Sequence, residues 1–124
     1  MAVFDEALIR RVYAAFNARD IDGVLEHLDP DVDWPNAWEG GRVRGHEAVR
    51  DYWTRQWREI DGRVEPQRVS RRADGRLAVD VHQVVHALDG SLLADAQVVH
   101  VYTIRDGLIV QMDVEEPPDS PATG

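Results

Sequence analysis

Three histidines fall in the second half of this 124-residue chain, His82, His86 and His100, with Asp80 two residues before the first and Tyr102 two after the last. The chain has no cysteine, and all of its 14 basic residues are arginine. Thiolate nucleophiles, disulfides and lysine Schiff bases are therefore excluded, and acid–base work falls to His, Asp, Glu and Tyr. A carboxylate beside an imidazole fixes its tautomer and raises its basicity, which makes a His–Asp pair a general base near neutral pH. Metal binding is a poorer fit. His82 and His86 lie four residues apart on an extended segment, roughly 13 Å at about 3.3 Å per residue, too far to share one ion. No metal and no cofactor is expected. His27, late in a short helix, and His46, at the start of a longer one, are explained by capping or solvation.

Aromatic residues form the second signal. Trp34, Trp38, Trp53 and Trp57 occur within 24 positions, with Tyr52 among them. Core filling accounts for Trp57, since large rings dominate the buried area of small domains. Trp34 and Trp38 flank a Pro-Asn-Ala loop and are expected as walls for a flat or cyclic apolar ligand, with Asn36 as a polar contact and Tyr52 and Trp53 nearby. Arg42 and Arg44 follow in the same loop.

The elements that must position these groups divide into a helical half and a strand half. Apolar residues at spacings of three and four predict a helix over Ala2 to Ala18 and another over His46 to Ile60. Between them Asp20 is a good N-cap for a short helix carrying Ile21, Val24, Leu25 and Leu28 and stopped by Pro30. Asp31 to Trp34 reads as a brief strand and Asn36 to Gly45 as a loop. From Val64 the period becomes two, predicting strands over Val64 to Arg71, Leu77 to Leu88, Leu92 to Ile104 and Leu108 to Glu115. Each link between them carries Asp-Gly, which supplies positive φ, so the strands are expected as an antiparallel meander. The expectation is a single α+β domain over residues 1–116, three N-terminal helices packed on a strongly curved antiparallel sheet that forms a cone-shaped pocket. Residues 117–124, with three prolines and no apolar period, read as a disordered tail.

Net charge is −9, with 44% hydrophobic and 30% charged residues. That composition is that of a soluble globular domain and argues against nucleic-acid binding, which needs a basic surface. No run approaches the roughly 20 apolar residues of a membrane span, and the N-terminus lacks the basic and apolar regions of a signal peptide. The cytoplasm is the expected compartment.

The segment VYAAFNARDIDGVLEHLDPDVDWP, the run RGHEAVRDYW and the hairpin HVYTIRDGLIVQMD resemble the nuclear transport factor 2-like superfamily, in particular its ketosteroid isomerase and SnoaL-like branch. The resemblance spans roughly residues 3–115. It implies the cone fold, a small-molecule ligand and a homodimer joined through the outer sheet face, but not a reaction, because the superfamily hosts isomerases, cyclases, dehydratases and non-enzymatic binders. The isomerase's three catalytic positions all differ here. Its general-base aspartate corresponds to Trp34, its oxyanion tyrosine to Val12 with Tyr13 about 100° further around the helix, and its protonated aspartate to His100.

The resemblance further implies that even-numbered residues of the two central strands face the pocket: Asp80, His82, Val84 and His86 on one, Ala96, Val98, His100 and Tyr102 on the other. A register placing Asp80, or after a slip His82, across from His100 would then make a catalytic pair, with Asp33 as another orienting carboxylate and Tyr102 as a donor. Met112 would join the ligand contacts. Simple alternation gives the opposite reading for the first strand, because Leu77, Val79, Val81 and Val85 form its apolar set and would leave His82 and His86 solvated or at a dimer interface. The function implied is binding of a small, largely apolar molecule, either with histidine-assisted proton transfer of the isomerase, cyclase or dehydratase kind or as a non-catalytic module.

Overall fold

A computed structural model describes residues 2–36 and 40–116 of the chain, with side chains from residue 6 onward. The predicted tail and Trp38 lie outside the described residues. Helix α1 (Ala2–Asn17) buries Leu8, Ile9, Val12 and Tyr13, a stripe at helical spacing. Arg19 then takes φ of 63°, the left-handed conformation that ends a helix. Helix α2 (Ile21–Leu25) starts as expected, with the Asp20 carboxylate accepting the Gly23 N–H at 3.0 Å. A side chain at Gly23 would collide with that cap. Helix α3 (His46–Glu59) buries Val49, Tyr52 and Trp53.

The strands are β1 (Leu28–Pro35), β2 (Arg42–Arg44), β3 (Ile60–Arg71), β4 (Leu77–Ala87), β5 (Leu92–Arg105) and β6 (Leu108–Glu115). They form one sheet in the order β2-β1-β6-β5-β4-β3. Helices first and antiparallel β3 to β6 afterwards match the expectation. Three features correct it. Leu28 belongs to β1 rather than to the second helix, and Pro30 lies inside β1, in the interval between Leu28 and Asp33 where pairing with β6 changes register. A proline there costs no regular ladder bond. The three-residue β2 lies in what read as a loop, where it pairs antiparallel with β1. Finally, β1 runs parallel to β6, so the sheet is mixed, and it is an open six-stranded sheet rather than a strongly curled cone.

The register fixes which side chains share a face. Leu77 pairs with Tyr102, Val79 with His100 and Val81 with Val98, and this inner face packs with the helices in one core containing Leu77, Val79, Val81, Tyr102 and Met112. On the outer face Ala78, Val99 and Val101 make a separate small cluster. Asn17 fastens the helical layer to the sheet: its amide donates to the Val64 carbonyl at 2.7 Å and accepts the Val64 N–H at 3.0 Å. At the β5–β6 turn Asp106 and Gly107 both have positive φ, 55° and 79°, as an Asp-Gly hairpin requires.

Candidate functional site

Between the helices and the inner face lies a cavity of about 370 Å³. Val12, Tyr13 and Phe16 of α1, Trp34 of β1, Tyr52, Trp53 and Gln56 of α3, and Met112 and Val114 of β6 contribute to its wall, together with Val64, Gln83, Val85, His100 and Tyr102 from β3 to β5. Most of this wall is apolar, and rings brace one another across it. Trp34 meets Trp53 edge-on with centroids 5.5 Å apart, and Phe16 meets Trp53 at 5.3 Å. Such contacts hold large side chains in fixed orientations and so preserve an open space beside them.

The polar centre of the wall is a chain of three buried side chains. The Tyr102 hydroxyl donates to the Tyr13 hydroxyl at 2.8 Å, and the Tyr13 oxygen lies 2.7 Å from Nδ1 of His100. The Tyr13 and His100 rings stack with centroids 5.9 Å apart. Because Tyr102 supplies its hydrogen to Tyr13, the Tyr13 hydrogen is available for Nδ1, and the neutral imidazole then carries its proton on Nε2. No hydrogen bond among the described residues engages Nε2. Burial holds the imidazole neutral, lowering its pKa from 6.5 to about 4, and raises both tyrosines above the ordinary phenol range. The arrangement keeps a neutral, oriented imidazole at the edge of an apolar space. No carboxylate lines the cavity among the described residues.

The structure divides the residues singled out from sequence into two groups. His100, Tyr102, Trp34, Tyr52, Trp53 and Met112 line the cavity, and Val98 shares the inner face and packs against the core. Asp80, His82 and His86 do not face it. Val79, not Asp80 or His82, stands across from His100, while Asp80 pairs with Val99 and His82 with Gln97 on the outer face. The simple alternation of β4 decides its orientation, and the even-numbered cavity face holds only for β5. His82 does have a carboxylate partner, Asp95, whose Oδ1 is 2.6 Å from Nε2, but the pair is on the outer surface. His86 borders a separate cleft beside Arg19 and Trp57. Asp33 bonds Arg42 at 2.5 Å on the exposed side of β1 and is not an orienting group for His100. Asn36 is buried beyond β1 and is not part of the cavity wall.

Tyr13 corrects the expectation that a donor tyrosine is missing from α1. The buried stripe of α1 is wide enough to take both Val12 and Tyr13, so a residue 100° from the aligned position still faces the sheet. Among the described residues, no group of three His, Cys, Asp or Glu side chains could hold a metal ion, and no helix is long and apolar enough to cross a membrane.

The family model of the SnoaL-like domain matches residues 9–112. No curated protein matches the chain. Among solved structures, TerC co-crystallized with polyporic acid is 27% identical, with 92% of each chain covered and a TM-score of 0.79. An NTF2-like protein of unknown function from Burkholderia pseudomallei is also 27% identical, covering 92% of this chain and 91% of its own, with a TM-score of 0.79. A candidate polyketide cyclase from Xanthomonas campestris shares the fold at 23% identity, covering 90% of this chain and 88% of its own, with a TM-score of 0.75.

Proposed function

This chain belongs to the SnoaL-like domain family, with an NTF2-like, ketosteroid isomerase-like fold, and from that premise we propose that it binds a small, largely apolar, cyclic molecule in the inner cavity and moves a proton on it through His100. The observation that carries the reading is the buried Tyr102–Tyr13–His100 chain in the wall of an otherwise apolar space. Co-crystallization of TerC with polyporic acid supports a small organic molecule as the occupant of this fold.

His100 is the group proposed to touch the reacting atoms. In the other tautomer, where the Tyr13 hydroxyl is turned to accept from Nδ1–H and Nε2 is unprotonated, the Nε2 lone pair takes a proton from the carbon beside a carbonyl, and the C–H electrons shift to the carbonyl oxygen as an enolate. The imidazolium so formed donates through Nδ1 to the Tyr13 oxygen. Returning the proton from Nε2 to another atom of the same molecule completes an isomerisation without oxidant or cofactor. A pKa near 4 makes His100 a weak base but keeps almost all of it unprotonated at neutral pH. Tyr13 and Tyr102 act as positioning residues that fix the ring and bear on its charge.

Deuterium exchange beside the carbonyl of 2-tetralone, followed by NMR in heavy water, tests the step. Wild type is expected to accelerate exchange at least tenfold over His100→Ala, while tryptophan quenching reports similar ketone affinity in both. Equal exchange rates would remove the catalytic role. That no carboxylate lines the cavity among the described residues favours a second reading, a non-catalytic binding module, which saturable quenching without exchange would support. Homodimerisation through the outer sheet face is part of the proposal and rests on the fold family, since the Ala78, Val99 and Val101 cluster on that face is already buried within one chain. A monomer by sedimentation would overturn it.

A further inference from the structure

The inner face of β4 reads Leu77, Val79, Val81, Gln83, Val85, and Gln83 interrupts an otherwise apolar row. On α3 the side facing the sheet carries Val49, Tyr52 and Trp53, and one turn later Gln56. Both glutamines line the cavity and are half-buried. Neither makes a hydrogen bond with any described residue. They also lie at the same end of the cavity. Gln83 pairs with Val64, and the Gln56 amide nitrogen sits 3.9 Å from where a β-carbon would project from Gly62, the next inward position of β3.

His100 marks the other end. It stands across from Val79, four residues along β4 from Gln83, which sets the two positions roughly 13 Å apart along the sheet at about 3.3 Å per residue. Both amides keep access to solvent, and a ligand oxygen that displaces water there has to supply the hydrogen bonds it takes away. Arg63, the charged residue bordering this end, is exposed and alternates to the outer face between Gly62 and Val64.

We infer that the cavity selects an elongated molecule polar at both ends, with one oxygen at His100 and a second, uncharged hydroxyl or carbonyl held by Gln56 and Gln83 at the opposite end. The inference rests on the proposed binding of a cyclic apolar molecule in this cavity and adds its length and the neutrality of its far group. A carboxamide offers both a donor and an acceptor and no charge, so it matches a hydroxyl or carbonyl and gives a carboxylate no counter-charge. The span between two hydrogen-bonded oxygens is about 10 Å once the side chains reach inward, the scale of two linked rings.

Three probes separate the elements: para-phenylphenol with one hydroxyl, para,para′-biphenol with a hydroxyl at each end, and the para′-carboxylate of para-phenylphenol. Tryptophan quenching in wild type is expected to show biphenol binding at least tenfold tighter than phenylphenol, and the carboxylate no tighter than phenylphenol. In Gln83→Met the ratio of biphenol to phenylphenol affinity, measured within the same variant, should fall to within about threefold, and Gln56→Met repeats the measurement should the first variant not fold. Equal affinity of wild type for biphenol and phenylphenol, or tighter carboxylate binding, would overturn the two-ended reading and leave the cavity proposal standing. Failure of all three to bind would remove the cavity proposal, and this one with it.

Discussion

Two histidines of the same sheet face opposite ways and show what burial does to an imidazole. His82 sits on the outer surface against Asp95 at 2.6 Å, a His–carboxylate pair of the kind associated with general bases. His100 sits within the protein, bonded to a tyrosine hydroxyl, and no carboxylate lines the cavity it borders among the described residues. The pair whose chemistry looks more catalytic lies at the surface, where water competes for the same interactions. The one that reaches a cavity is neutral because its surroundings cannot solvate a charge. The difference teaches that access to an enclosed apolar space, rather than a nearby carboxylate, picks out the candidate site here.

This contrast can be broken in three ways. The largest effect is expected from pH. The folded pKa of His100 is about 4 against 6.5 in the unfolded chain, so the unfolded state binds the extra proton between those values. Stability from this group is complete above about pH 6.5 and is lost as pH falls toward 4, by on the order of 3 kcal/mol. Urea unfolding of wild type and His100→Gln across that range should differ by this slope, and parallel curves would mean that burial leaves His100 unperturbed. Next in size, Tyr13→Phe leaves Nδ1 of His100 and the Tyr102 hydroxyl without their partner and should cost about 2 kcal/mol in the same measurement. The smallest effect is expected from Asp95→Asn, below about 1 kcal/mol, with unchanged quenching by ring compounds. A large loss there would mean the outer pair is shielded, as by a second subunit.

Much of the architecture was legible because it is local. Helical stripes such as Leu8 and Val12 of α1 and Val49, Tyr52 and Trp53 of α3, the Asp20 cap and the Asp-Gly turns each specify their own neighbourhood. Alternation in Leu77, Val79 and Val81 also pointed the right way, and family geometry misdirected the reading of that strand. What could not be read is long-range. The three-residue β2 carries too little pattern to signal itself, and the parallel pairing of Leu28 with Ile109 joins segments about eighty positions apart. The site was half legible for the same reason. His100, Tyr102 and Trp34 announced themselves by type, whereas Tyr13, Gln56 and Gln83 matter only once the sheet register and the helix faces are known.

The place of β6 has a consequence for the order in which the molecule is built. This strand is the last described in the chain, yet it lies in the middle of the sheet, between β1 and β5. Until it is synthesised, β1 and β2 have no strand to join them to the β3–β5 block, and the cavity lacks the wall formed by Met112 and Val114. On a ribosome the helices and the β3–β5 meander can form and meet, as through Asn17 and Val64, while the chain is still growing, but the two parts of the sheet stay unjoined. Assembly of the sheet therefore waits for β6, and a chain released before residue 108 would leave unpaired the edges of β1 and β5 that β6 covers.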